Sequence, residues 1–367
     1  MTFIPNAAAY LPLLLLVFAF AAAVSFVLTP PVRRIAIRLD AVDRPGQRRV
    51  NTSPVPRGGG VAVAASFVLV TLLALVLIQM FHVVPVPASI QSTDLVGLLL
   101  GGILAAAFGV VDDYFDLKAR WQFLGQLGLA LLAIVSGITV DFIANPFVAG
   151  RIIPFDGFVK YAFTILWIAG MINAINFIDG LDGLSSGIGL IAALTLGIIS
   201  LTTQVAPLGQ PFVTVLCFIL AGALLGFLRW NFHPASIFAG TSGVMFLGYT
   251  LAVLSILGIA KVAVAMLVLG VPIIDAFWNI VRRLAQGRSP FSPDRGHLHH
   301  RLLDIGLSHR QTVLLIYGIC VGLALLAMLL QGATQLYAFI GVFFASGFIL
   351  FILARGGFAT DEPFDYE

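Results

Sequence analysis

The chain has 367 residues, of which 60% are hydrophobic and only 10% charged, and its formal net charge is +3. So little polar surface cannot wet a soluble globule of this length, which excludes a water-soluble enzyme or binding module and leaves a polytopic membrane protein. Nor does the small positive charge argue for nucleic acid, because the basic residues gather in loops beside apolar runs, where anionic headgroups and the positive-inside bias place them.

Apolar runs long enough to cross a hydrocarbon core of about 30 Å recur over 8–29, 59–81, 95–111, 121–139, 158–175, 184–202, 211–229, 236–256, 259–281, 310–330 and 334–354. Between them no stretch is long enough for a separate soluble domain, so residues 1–367 read as one all-α membrane domain of about eleven transmembrane helices. The first run has no basic residue before it and exceeds a signal-peptide core, which reads as a retained helix. Of the 20 basic residues, all but Arg151, Lys160 and Lys261 fall on the side of loops 30–58, 112–120, 176–183, 230–235 and 282–309. That side is expected to be cytoplasmic, with the N-terminus outside and the C-terminus inside.

The acidic and histidine groups fall on the same side. After the third run comes Val111-Asp112-Asp113-Tyr114-Phe115-Asp116. Adjacent carboxylates at a membrane rim either share a proton or gather around a cation such as Mg²⁺, unless they merely end a solvated helix. After the fifth run, Asn173, Asn176, Asp179 and Asp182 recur every three residues, a spacing that keeps near neighbours on one helix face. Gly180 and Gly183 then free the backbone to turn, letting Asp179 and Asp182 point into a polar cleft suited to Mg²⁺ or ribose hydroxyls. Asp275, about two turns inside the ninth run, is costly in lipid unless it lines a site or bonds a neighbouring helix. In the last cytoplasmic loop, Asp294-Arg295-Gly296-His297-Leu298-His299-His300-Arg301 has no cysteine nearby and is flanked by arginines, which favours a phosphate guest over zinc. Cys217 and Cys320 lie inside apolar runs and read as packing residues.

From about Asp43 to Leu303 these segments resemble the polyprenyl-phosphate N-acetylhexosamine-1-phosphate transferases. The likeness rests on Asp112-Asp113, on Asn173 to Gly183 and on His297 to His300, in the family's order. Arg49, Pro54, Pro56, Arg57 and Gly59 look like the family's first cytoplasmic loop, and Asn231, Pro234 and Phe238 like the entry to its eighth span. Gly296 to Leu302 resembles the branch that uses UDP-N-acetylglucosamine or similar small UDP-sugars.

The resemblance implies an eleven-span, Mg²⁺-dependent enzyme of the cell membrane, with Mn²⁺ as a substitute ion. It would move N-acetylhexosamine 1-phosphate from a UDP-N-acetylhexosamine to polyprenyl phosphate at the cytoplasmic face, releasing UMP. By the same likeness, Asn176 and Asp179 would hold the metal, and Asp112 or Asp113 would orient or deprotonate the lipid phosphate. Asp182 would bind the nucleotide, and Asn173 and Asp275 would be substrate-binding residues that line the site. His297, His299, His300 and Arg301 would grip the pyrophosphate or sugar, and Arg49 and Arg57 would draw in the lipid headgroup. One departure stands out: the family reads Gly-Asp-x-Gly-Ser, its Asp a Mg²⁺ ligand, where this chain reads Gly240-Thr241-Ser242-Gly243-Val244. A neutral hydroxyl weakens metal affinity unless Asp179, Asp182 or Asp275 compensates. A polar-lipid flippase and a family member that binds the carrier without catalysis are the alternatives, and a second copy of the chain stays open as a partner.

Overall fold

The computed structural model describes residues 3–4, 7–44, 54–145, 148, 151–202, 209–258, 262–287, 296–331 and 333–355. In chain order the helices are α1 (Leu11–Arg38), α2 (Gly60–Phe81), α3 (Ser92–Phe115), α4 (Ala119–Val135), α5 (Gly157–Ile178), α6 (Leu184–Ser200) and α7 (Pro211–Asn231). They continue as α8 (Gly240–Leu257), α9 (Val262–Val268), α10 (Gly270–Ala285), α11 (Leu298–Asp304), α12 (His309–Leu329) and α13 (Ala333–Arg355). Two small antiparallel pairs accompany them: β1 (Val42–Asp43) with β2 (Val55–Pro56), and β3 (Phe142–Ala144) with β4 (Ile152–Pro154).

Every predicted apolar run falls on a helix. Among the described residues seven helices are long and apolar enough to cross a membrane, or eight if α9 and α10 count as one bent span. The fold is an all-α membrane bundle with α7 and α8 at its centre, each four-fifths buried, and α1, α2, α3, α5 and α6 around them.

Two helices depart from the expected boundaries. The first cytoplasmic loop is expected from residue 30, yet α1 continues through Pro30 and Pro31 to Arg38. Proline removes the amide that the carbonyl four residues earlier would use. Here the Phe26 carbonyl freed by Pro30 accepts from Trp230 Nε1 at 3.2 Å, so the helix survives. The ninth run is expected to be one span over 259–281, yet α9 and α10 meet at 78°. Pro272 cannot donate to the Val268 carbonyl, and the chain turns through Leu269 and Gly270 instead.

Helices in lipid associate through close packing rather than through exclusion of water, so small residues mark the tightest contacts. The first turn of α8 is wedged between two of them. A Cβ on Gly60 of α2 would overlap the Gly243 backbone, and one on Gly109 of α3 would overlap that of Ser242. Backbone-to-backbone contact therefore fixes the start of α8 against the end of α3, and the polar cleft lies at that junction.

Candidate active site

At one end of the bundle a cleft of about 360 Å³ opens between the end of α3, the α5–α6 turn, the α7–α8 connection, the β1–β2 pair and α11. Asp43, Arg57, Asp113, Asn176, Asp179, Asp182, Thr241 and His300 line it.

The adjacent aspartates of α3 point differently, because neighbours on a helix are turned about 100° from one another. Asp113 faces the cleft: its Oδ1 accepts the Thr241 amide at 2.7 Å and its Oδ2 the Ser242 amide at 3.1 Å. Those amides belong to the first turn of α8, which has no intrahelical acceptor for them and carries the positive end of the helix dipole. The chain enters that turn at Gly240 with φ +70°, and a Cβ there would lie 2.5 Å from Asp113 Oδ2. Asp112 faces away from the cleft, 4% exposed. Its Oδ1 accepts from Gln122 Nε2 at 2.9 Å and the Leu117 amide at 3.1 Å, and its Oδ2 from Thr241 Oγ1 at 2.6 Å.

The motif that joins α5 to α6 divides similarly. Asn176 and Asp179 line the cleft, whereas Asn173 lies deeper and ties α5 to α4 through Gln126, donating from Nδ2 to Oε1 at 2.6 Å. Asp179 Oδ1 accepts from the Ser185 hydroxyl of α6. Burial pushes the Asp179 carboxyl up to about 7, against the lowering effect of that bond, and the charges of Asp113 and Asp182 add to the rise. Such mutual repulsion marks a donor set richer in negative charge than its surroundings can neutralise. Asp182 is committed to the wall: its Oδ2 accepts from His233 Nδ1 at 2.8 Å and the Ala235 amide at 3.0 Å, while its own amide donates to His309 Nε2 at 2.9 Å. The His233 and His309 rings stack at 4.1 Å, and ligand atoms of the three residues lie within 4.8 Å of one another. Isolated histidines at a loop and a helix start gave no sequence signal for this cluster.

The three histidines of the last loop occupy three different surroundings. His297 Nδ1 sits 2.7 Å from Asp275 Oδ2, and its ring stacks on Phe177 at 5.5 Å. Asp275 is 4% exposed and does not line the cleft. Its Oδ1 accepts the Leu298 amide at 2.8 Å and Asn279 Nδ2 at 3.1 Å, so it caps α11 from α10. His299 is 2% exposed and packs against Gly180, where a Cβ would overlap Nε2. Burial, then His300 and His297, hold its pKa well below the usual histidine range, so the ring is neutral. Only His300 of the three reaches the cleft. Arg301 does not line it, and its Nε donates to the Gly296 carbonyl at 3.0 Å.

Arg57 is the arginine of the cleft, donating from Nε to Asp43 Oδ1 at 2.9 Å and from Nη1 to Asp116 Oδ1 at 3.2 Å. Arg49, expected beside it, lies outside the described residues. Asp43, which lines the cleft, and the buried Ser185, which holds Asp179 from behind, are further groups that single positions in the sequence did not announce.

The profile of glycosyl transferase family 4 matches residues 95–259. A probable undecaprenyl-phosphate N-acetylglucosaminyl 1-phosphate transferase of Bacillus subtilis (strain 168) is 36% identical, over 89% of this chain and 85% of its own. The decaprenyl-phosphate N-acetylglucosaminephosphotransferase of Mycobacterium tuberculosis is likewise 36% identical, over 83% and 79%. An undecaprenyl-phosphate alpha-N-acetylglucosaminyl 1-phosphate transferase of Thermotoga maritima is 30% identical, over 76% and 78%. With likeness of this extent spanning the helices that build the cleft, the chain belongs to glycosyl transferase family 4, on the N-acetylglucosamine-1-phosphate branch.

Proposed function

We propose that the chain transfers N-acetylglucosamine 1-phosphate from UDP-N-acetylglucosamine to undecaprenyl phosphate at the cytoplasmic face of the cell membrane, as a Mg²⁺-dependent enzyme. The observation that carries this reading is the convergence of Asp113, Asn176, Asp179, Arg57 and His300, from distant parts of the chain, on one cleft. Eleven crossings, N-terminus outside, would put that cleft and the basic loops on the same side. In this reading the 17-residue helices α4 and α6 also cross. Each spans only about 25 Å, so the bilayer thins there.

In the reaction an oxygen of the lipid phosphate attacks the β-phosphorus of the donor. The bond from that phosphorus to the bridging oxygen breaks, and UMP leaves with the electron pair. Little covalent chemistry is asked of the protein, so catalysis comes from aligning two anions that repel and from neutralising charge on the pyrophosphate. Asp179 and Asn176 would hold Mg²⁺, which suits their hard oxygens and the excess negative charge of the cleft, and which would neutralise the phosphate oxygens when bound. Asp113, fixed by two amides, would orient the attacking lipid phosphate and accept its proton when it carries one. Arg57 would take the anionic headgroup, exchanging its exposed partner Asp116 for phosphate, and His300 would contact the donor.

Purified chain with labelled UDP-N-acetylglucosamine, undecaprenyl phosphate and Mg²⁺ is expected to yield labelled lipid and stoichiometric UMP. Lipid movement across vesicles without UMP would instead establish a flippase. A proton on Asp179 must leave before the cation binds, and its pKa of about 7 sets where this matters. Apparent Mg²⁺ affinity is therefore expected to fall about tenfold per unit as pH drops below 7 and to level off above 8. An activity-based Mg²⁺ titration at pH 6, 7 and 8 checks it, and a flat response would remove Asp179 from the metal site. Asp275→Ala removes the carboxylate from His297 Nδ1, leaves the Leu298 amide unpaired and loosens the helix that carries His300. Its KM for the UDP-sugar is expected to rise about tenfold, with kcat changed less.

A further inference from the structure

We infer that Thr241 holds Asp112 out of a cation's reach, so that the cleft keeps no resident divalent ion and acquires one only together with the pyrophosphate of its donor. The inference rests on the function proposed above and concerns how the metal arrives.

The acidic groups can be taken in turn. The Thr241 hydroxyl occupies Asp112 Oδ2, Gln122 and the Leu117 amide occupy Oδ1, and the carboxylate is 4% exposed outside the cleft. Asp275 is bound to His297, the Leu298 amide and Asn279. Asp182 spends its Oδ2 on His233 and the Ala235 amide, and Asp43 its Oδ1 on Arg57. None of these offers a whole carboxylate in place of the one missing at position 241. Asp113 and Asp179 remain, and both oxygens of Asp113 already accept an amide. Two carboxylates and an amide form a thin shell for an ion that demands six ligands and readily takes them from substrate phosphates. A carboxylate at position 241 would meet Asp112 with no proton donor between them, and the pair would attract a cation of their own. Threonine does the opposite, because its donated hydrogen bond occupies Asp112 Oδ2 and competes with any ion for that oxygen.

Equilibrium dialysis of Mn²⁺ against the detergent-purified full chain tests this. Without nucleotide, the wild type is expected to show no saturable binding below about 1 mM. Saturating UDP-N-acetylglucosamine should tighten retention at least tenfold, to one ion per chain. Thr241→Asp should bind Mn²⁺ at least tenfold tighter than wild type without nucleotide, and Thr241→Asn, of the same shape but neutral, should not. Tight binding by the wild type alone, or a Thr241→Asp variant no tighter than wild type, overturns the inference while leaving the proposed function standing. No retention even with the donor removes both. The paired wild-type titrations decide the matter if Thr241→Asp does not fold.

Discussion

Asp179→Asn is expected to lower the rate of UMP release by about a thousandfold, roughly 4 kcal/mol of transition-state stabilisation. The substitution is nearly isosteric. Its amide oxygen can still accept from Ser185, and removing a charge that burial already disfavours should leave the folded bundle as stable as before, or more so above pH 7. What disappears is the charge of a cleft carboxylate that is held by Ser185 through one oxygen and that faces the charges of Asp113 and Asp182. UMP release in proteoliposomes, with size-exclusion and thermal unfolding profiles as folding controls, separates chemistry from stability. Retention of more than a tenth of wild-type turnover by a well-folded variant would sink the metal-site assignment.

Gly109→Ala should act by a different route. The added methyl has only the backbone of Ser242 to push against, and a main chain cannot rotate aside as a side chain can. The first turn of α8 must move away from α3, which costs about 3 kcal/mol. It also draws the Thr241 and Ser242 amides off Asp113. Thermal stability and turnover are expected to fall together, more steeply than in Gly128→Ala, where a Cβ would meet nothing within 4 Å. Equal behaviour of the two alanine variants would show that the α3–α8 contact is slack.

Much of this was legible in the sequence for physical reasons. Apolar length alone located the long helices, since lipid demands it, but neither α11 nor the break between α9 and α10, and the motif residues that share a cleft were those whose polarity had no other excuse at a membrane rim. Other features were hidden. That Asp113 faces the cleft while Asp112 is tied to α4 depends on where α8 arrives, which adjacent identical letters cannot say. Asn173 belongs to the three-residue series by spacing, but the series passes out of the cleft as α5 descends, and Gln126 claims it. Where Pro30 frees the Phe26 carbonyl of α1, the donor that takes it is Trp230, 200 positions on from the proline. Likewise the histidine triplet reads as one motif yet serves as a clasp on Asp275, a neutral filler beneath Gly180 and one group open to the cleft.

The bend between α9 and α10 reaches the cleft through a single carboxylate. Seven residues of α9 rise only about 10 Å, a third of an ordinary hydrocarbon core. The next segment, α10, departs from it at 78°. That second segment carries the carboxylate that clasps His297 and caps α11, so the direction set at Leu269 and Gly270 also decides where His300 meets the cleft.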